Sequence, residues 1–159
     1  MKLFIPIIII TCIIISWGLA SCKKDNPTPV TDAALLTTKR WVKTKAEVTY
    51  SGITVDATNS IIPDCQKDDI TTFAEDGTYT VSVGADDCGG TAENETGTWA
   101  LTNNRSTLHV TAGVNSFDAT IISLTNTTLK GSVKEDNYDI NNDGKPDGTV
   151  TLTYTFTAK

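Results

Sequence analysis

The strongest constraint on this chain is a period-two alternation of apolar or aromatic residues with threonine, broken about every ten residues by Gly, Asn and Asp. It is clearest near the C-terminus, where Val150, Leu152, Tyr154 and Phe156 share one face and Thr149, Thr151, Thr153 and Thr155 the other. Leu108 and Val110 repeat it, as do Gly97, Trp99 and Leu101, and Leu129, Gly131 and Val133. Strands with one buried and one solvated face are the reading of such runs. They are expected at Trp41 to Tyr50, Asp69 to Ala74, Thr78 to Val83, Thr96 to Leu101, Thr107 to Thr111, Phe117 to Leu124, Thr128 to Tyr138 and Thr149 to Thr157. A short helix, capped by Asp32, precedes them over Asp32 to Thr38.

Eight antiparallel strands in meander order, each with one apolar face, must close on themselves or leave two exposed edges. The expectation is an all-β, eight-stranded up-and-down barrel with a short N-terminal helix. A two-sheet sandwich would bury the same faces, and periodicity does not separate the two. The bulky inward positions lean towards a filled core, while Gly97 and Gly131 leave room inside.

Residues 1–21 stand apart from this pattern. Lys2 precedes an apolar run from Leu3 to Ile15 and then small residues, the layout of an export signal. The run is too short for a membrane span of ~20 residues. Leu19-Ala20-Ser21-Cys22 resembles the lipobox of bacterial lipoproteins, the alternative being an ordinary cleaved signal with an accidental Cys. That resemblance implies a lipidated Cys22 as the membrane anchor. Two or three acyl chains hold stably where one is marginal, at ~0.8 kcal/mol per CH₂. Lys23 in place of Asp beside the anchor is compatible, by the rules of Gram-negative lipoproteins, with the outer membrane, facing either side. Residues 22–31 then form a Pro-containing tether and residues 32–159 the folded domain.

Cys12 leaves with the signal and Cys22 is taken by lipid, so Cys65 and Cys88 remain in an oxidising compartment and are expected to pair. Between them lie two alternating runs joined by Glu75-Asp76-Gly77. A three-residue turn with Gly77 left-handed sets Ala74 opposite Thr78 and Phe73 beside Tyr79, which brings Cys65 opposite residue 87. A two-residue Asp-Gly turn would pair Cys65 with Cys88 directly but part Phe73 from Tyr79. The first register is preferred, and in either the bond staples a hairpin's open end. A redox role is disfavoured without CxxC spacing.

Several pieces in order resemble the lipocalin-like domains of Gram-negative lipoproteins. They are Leu35-Leu36 leading into Lys39-Arg40-Trp41, Cys65-Gln-Lys-Asp-Asp69, Phe73-x-x-Asp76-Gly77-Thr78-Tyr79, Cys88, and Thr96-Gly97-Thr98-Trp99. Arg40 stands where the pattern usually has Gly, so the GxW signature of true lipocalins is incomplete. The resemblance implies a barrel and often no established activity. Trp41 and Trp99 read first as core or barrel-end residues.

The sharpest chemical motif is Asp139-Ile-Asn141-Asn-Asp143-Gly144-Lys145-Pro-Asp147-Gly148. In a D-x-[DN]-x-D-G-x-x-D loop, side-chain oxygens at positions one, three, five and nine and a carbonyl at seven converge on Ca²⁺. Those positions are Asp139, Asn141, Asp143, Asp147 and the carbonyl of Lys145. The run resembles the calcium loops of dockerin, thrombospondin type 3 and FG-GAP repeats. Val150 at position twelve argues against a helix-loop-helix sensor. The competing reading is a polar hairpin turn.

With 13 Lys and Arg against 19 Asp and Glu, the chain does not suit a phosphate backbone, so no nucleic acid is expected. Its single imidazole, His109, alternates onto the Thr-rich outer face, which leaves a Ser or Cys nucleophile without an obvious base, so no enzymatic activity is expected. Asp68-Asp69 and Asp86-Asp87 point to opposite faces and read as loop solubilisers rather than acid/base pairs. Two functional classes follow for a monomer. Either the barrel holds a small apolar molecule against Phe73, Tyr79, Trp99, Tyr154 and Phe156, or its interior is filled and the segment Ser51 to Lys67 contacts a protein or glycan, for example as inhibitor of a lytic enzyme.

Overall fold

A computed structural model describes residues 32–90, 93–140 and 143–159. The export signal, Cys12, Cys22 and the tether lie outside the described residues, as does Asn141. A short helix α1 (Asp32–Thr37) leads into β1 (Arg40–Tyr50), β2 (Ile53–Asp56), a helical turn α2 (Thr58–Ile61) and a 3₁₀ turn (Asp64–Gln66). There follow β3 (Ile70–Phe73), β4 (Thr78–Ser82), β5 (Glu95–Thr102), β6 (Thr107–Ala112), β7 (Asn115–Leu124), β8 (Thr128–Tyr138) and β9 (Gly148–Ala158).

From β3 to β9 each strand pairs antiparallel with the next, β1 pairs with β3, and β1 also pairs with β9. That last ladder, running from Trp41 opposite Ala158 to Thr49 opposite Thr151, closes eight strands into a barrel. Closure removes the edges that an open sheet with these apolar faces would expose, and it excludes the sandwich. The ladder slips by one residue between Lys43 and Lys45. Because side chains alternate along a strand, the bulge at Thr44 changes which residues face inward. Trp41 and Lys43 point inward before it, and Ala46 and Val48 after it. Lys45 is left outside, where its ammonium pairs with Glu47 at 2.7 Å.

The segment Ser51 to Lys67 is not a plain loop. Ser51 and Gly52 both take positive φ, 49° and 81°, and turn the chain so that β2 pairs back on β1 from Tyr50 opposite Ile53 to Glu47 opposite Asp56. This ninth strand was not anticipated, because it flanks the closed barrel and turns its apolar residues to solvent. Ile53 and Val55 are 70% and 53% exposed.

Between β3 and β4 the three-residue turn forms as expected, with Phe73 opposite Tyr79, an Ala74 N–H to Thr78 carbonyl bond of 2.8 Å, and Gly77 at φ 86°. Cys65 and Cys88 are joined, their Cα atoms 5.1 Å apart, so the bond ties the 3₁₀ turn before β3 to the loop after β4. The paired carboxylates do more than solubilise that loop. Asp69 accepts the Gly84 N–H at 2.9 Å, Asp68 the Ala85 N–H at 2.6 Å, and Asp87 the Gly90 N–H at 2.9 Å.

Two packed clusters divide the interior. One lies under α1, where Leu36 and Trp41, both fully buried, meet Phe73, Leu108, Val110 and Leu129. The Trp41 indole N–H donates to the Leu36 carbonyl at 3.0 Å, so one side chain fills the barrel floor and also satisfies the end of the helix that caps it. The second cluster, Val48, Val150 and Leu152, packs with Ile61, Val133 and Tyr138 nearer the other end. Gly97 is a close-approach position. A Cβ there would lie 2.0 Å from the Thr111 carbonyl oxygen and 2.9 Å from the Ala112 Cα, both backbone atoms that cannot yield like a side chain. Gly97→Ala is therefore expected to part β5 from β6 and lower unfolding stability by about 3 kcal/mol in urea titration. An unchanged transition midpoint would contradict that close approach.

Candidate functional site

In an up-and-down barrel alternate hairpins gather at the same end. Helix α1 and the β3–β4, β5–β6 and β7–β8 turns close one end, while the other carries the β1–β2 turn and the β4–β5, β6–β7 and β8–β9 connections. Between the two packed clusters the barrel is hollow, with a cavity of about 1620 Å³ that opens among these last connections at Val83, Glu93, Val114 and Lys134. Typical small-molecule sites measure ~300–1,000 Å³, so there is space for an extended ligand. Bulky inward residues thus do not fill the core. Beside Gly131, the nearest atoms to an added Cβ are at 3.5 and 3.8 Å, and this wall of the cavity stays flat.

Of the aromatic residues expected to line the interior, Phe73, Tyr79, Tyr154 and Phe156 do so. Phe73 and Tyr79 face each other across β3 and β4 with ring centroids 5.7 Å apart. Trp99 does not line the cavity. It meets Phe73 edge-on at 5.6 Å, donates its indole N–H to the Ala74 carbonyl at 2.9 Å, and borders a small recess beside Ala33 and Thr37 of α1. The inward parity of Trp99 was readable in the sequence, but its distance along the barrel axis depends on strand stagger.

The sequence reading missed the polar part of this cavity, which includes Lys43 and Thr71 together with Asp69, Glu93, Glu95 and Glu135. Lys43 is carried inward by the Thr44 bulge, opposite Phe156, with its Nζ 5.2 Å from the centre of the Tyr154 ring. Burial lowers the ammonium pKa below its usual value, against the opposing attraction of Asp69 and Glu95. Neither carboxylate lies within ion-pair distance of Nζ among the described residues. Burial likewise pushes the Tyr79 phenol up to about 12, so it stays a neutral donor at physiological pH.

On the outer wall, His109 has a partner the sequence did not suggest. Its Nδ1 lies 2.7 Å from an Asp118 carboxylate oxygen, directly across the β6–β7 ladder, and its Nε2 lies 3.3 Å from the Thr111 hydroxyl and 3.4 Å from that of Ser116.

The Asp139 to Asp147 motif forms the β8–β9 connection at the open end. Its carboxylates turn towards the loop backbone. Asp139 accepts N–H groups of Asp143 at 3.2 Å and Gly144 at 2.7 Å, Asp143 accepts that of Lys145 at 2.9 Å, and Asp147 that of Ile140 at 2.8 Å. Gly144, at φ 85°, makes the sharp turn that the sixth position of such loops needs. Among the described residues no three acidic, His or Cys groups stand converged as a metal cage. The Tyr50 hydroxyl donates to the Asp147 carbonyl at 3.1 Å and ties this loop to the β1–β2 turn.

A closed eight-stranded antiparallel barrel, floored by a helix and opening on a cavity of mixed apolar and polar lining, defines the class of small lipocalin-like barrels. The family model of the lipocalin-like domain matches residues 38–131, and the chain belongs to that family. No curated protein matches the chain in sequence.

Proposed function

We propose that this chain is a lipid-anchored protein of the cell envelope that holds a small apolar ligand inside its barrel, with calcium stiffening the β8–β9 loop at the mouth. The cavity carries the first part of this reading: the apolar part of its wall, from Phe73 and Leu108 to Tyr154 and Phe156, is open to solvent at one end and closed by α1 and Trp41 at the other. The lipid anchor is supported by Leu19-Ala20-Ser21-Cys22 and the apolar run before it. Outer-membrane placement rests on Lys23 following that Cys.

Calcium is supported by the oxygen-rich spacing of Asp139, Asn141, Asp143, Lys145 and Asp147 and by the turn at Gly144. An ion there would take carboxylate oxygens that now cap backbone N–H groups, and it would offset repulsion between neighbouring carboxylates. Such a loop suits the weak affinity of extracellular modules, Kd ~10⁻⁴ to 10⁻³ M.

Three measurements test these parts separately. The uncharged dye Nile red is expected to gain fluorescence on the protein and to lose it in Val110→Trp, which fills the cavity floor; equal emission from both proteins would remove the ligand-holding reading. At about 5 mM calcium the Tm is expected to rise by about 4 °C over EGTA, and the rise to vanish in Asp143→Ala. An identical Tm in both buffers would reduce the motif to a hairpin turn. For the anchor, labelling of growing cells with an alkyne fatty acid is expected to tag the protein and not Cys22→Ser, and tagging of both would refute it.

A further inference from the structure

The barrel wall is not paired over its whole height. The β7–β8 ladder starts near the floor with Leu124 opposite Leu129 and stops at Thr120 opposite Ser132, although β7 extends from there to Asn115 and β8 to Tyr138. Towards the mouth, β7 pairs with β6 alone and β8 with β9 alone. A bulge at Ile122, just on the floor side of this fork, bends β7 and increases its twist, which is how such irregularities end a pairing.

The lining of the cavity marks the same stretch. Along β3, β4 and β6 alternate residues line the interior, as with Leu108, Val110 and Ala112, but residues 115–121 and 131–135 line it without a break. Both faces of β7 and β8 meet the cavity there because it passes between them. Phe117 shows the opening directly: it faces inward opposite Val110, which is fully buried, yet is itself 46% exposed. Two strand edges with unpaired backbone N–H and C=O groups thus face one slot, with the hollow interior behind it. The free edge of β2 has no second edge across from it.

We propose that the fork between β7 and β8 is a docking slot for an extended peptide of a partner protein, which completes the wall as an inserted strand and carries a basic residue at the mouth. The two edges supply main-chain donors and acceptors in alternation, the pattern that another strand matches. Side chains of the inserted strand alternate as those of its neighbours do. One set enters the cavity beside Phe117, Ala119 and Val133, and the other lies outside among Ser116, Ser132 and Lys134. Charge decides what meets the mouth. Five carboxylates against two ammonium groups line the cavity, and Glu135, on the inward face of β8 opposite Val150, has no ion pair among the described residues. Because β8 offers the longer free edge, the peptide runs antiparallel to it, with its N-terminus at the mouth. This partner is additional to the small apolar ligand and needs only the open wall and the space behind it.

The test uses the chain from residue 22 onward, which contains the whole closed barrel, carrying Cys22→Ser. Its probe is the peptide Lys-Thr-Val-Thr-Val-Thr with a C-terminal fluorescein, read by anisotropy. Two control peptides replace the Lys by Glu or carry N-methyl groups on alternate residues, which removes main-chain donors. Each control is expected to bind at least about tenfold more weakly than the parent. In Glu135→Lys the preference for Lys over Glu is expected to shrink at least about threefold. Should that variant fail to fold, the control peptides on the unsubstituted chain still decide. Hydrogen exchange locates the peptide: amides of residues 115–119 and 133–136 are expected to gain at least about tenfold protection. Equal binding of the N-methylated peptide, protection at β2 instead, or no binding of the parent peptide overturns the slot. Nile red bound by the same sample then leaves the ligand-holding reading intact, and loss of the dye as well overturns both.

Discussion

The ladder between β1 and β9 is the interaction on which the rest depends. It joins the first strand to the last across more than a hundred residues, so the loop-closure entropy of nearly the whole domain is spent in forming it. Without it, Thr-covered strands with one apolar face would form an open sheet with two edges. With it, the apolar faces enclose one interior, and α1 can place Leu36 over the Trp41 that the same strand carries. The floor and the closure of the barrel are thus one structural event on β1.

The same ladder contains the irregularity that gives the interior its character. A regular β1 would present one unbroken set of alternate residues to the cavity. The extra residue at Thr44 divides the strand into two phases, with Trp41 and Lys43 in one and Ala46 and Val48 in the other. The Thr44 hydroxyl settles on the outside, 3.2 Å from the Thr155 carbonyl, which secures the bulge against the neighbouring strand. One backbone feature therefore puts Lys43 in the cavity wall, sends Lys45 to Glu47 on the surface, and buries small Ala46.

The open end is held by covalent and polar ties added to the small cluster of Val48, Val150 and Leu152. The Cys65–Cys88 bond and the aspartate caps on Gly84, Ala85 and Gly90 fasten the β4–β5 connection, and Tyr50 fastens the β1–β2 turn to the β8–β9 loop. This division suits a vessel. A packed floor supplies stability through burial, and a rim restrained by local bonds leaves the entrance unfilled.

Much of this was legible in the chain itself, because alternation is a local property. Val150 to Phe156 declared their buried face, Glu75-Asp76-Gly77 declared its turn, and two leftover cysteines declared their bond. The order of pieces around Trp41, Phe73 and Trp99 pointed to the family. The number of barrel strands, their faces and the staple between them therefore follow from local pattern alone. Tertiary structure decided the rest: that the barrel is hollow, that Trp99 sits beside α1 and not in the cavity, that β2 flanks the barrel with its apolar side out, and that Lys43 points inward. The physical reason is common to all four. Stagger between strands, the slip at Thr44 and the volume left between facing side chains arise only when distant segments meet, and no periodicity within a single strand encodes them.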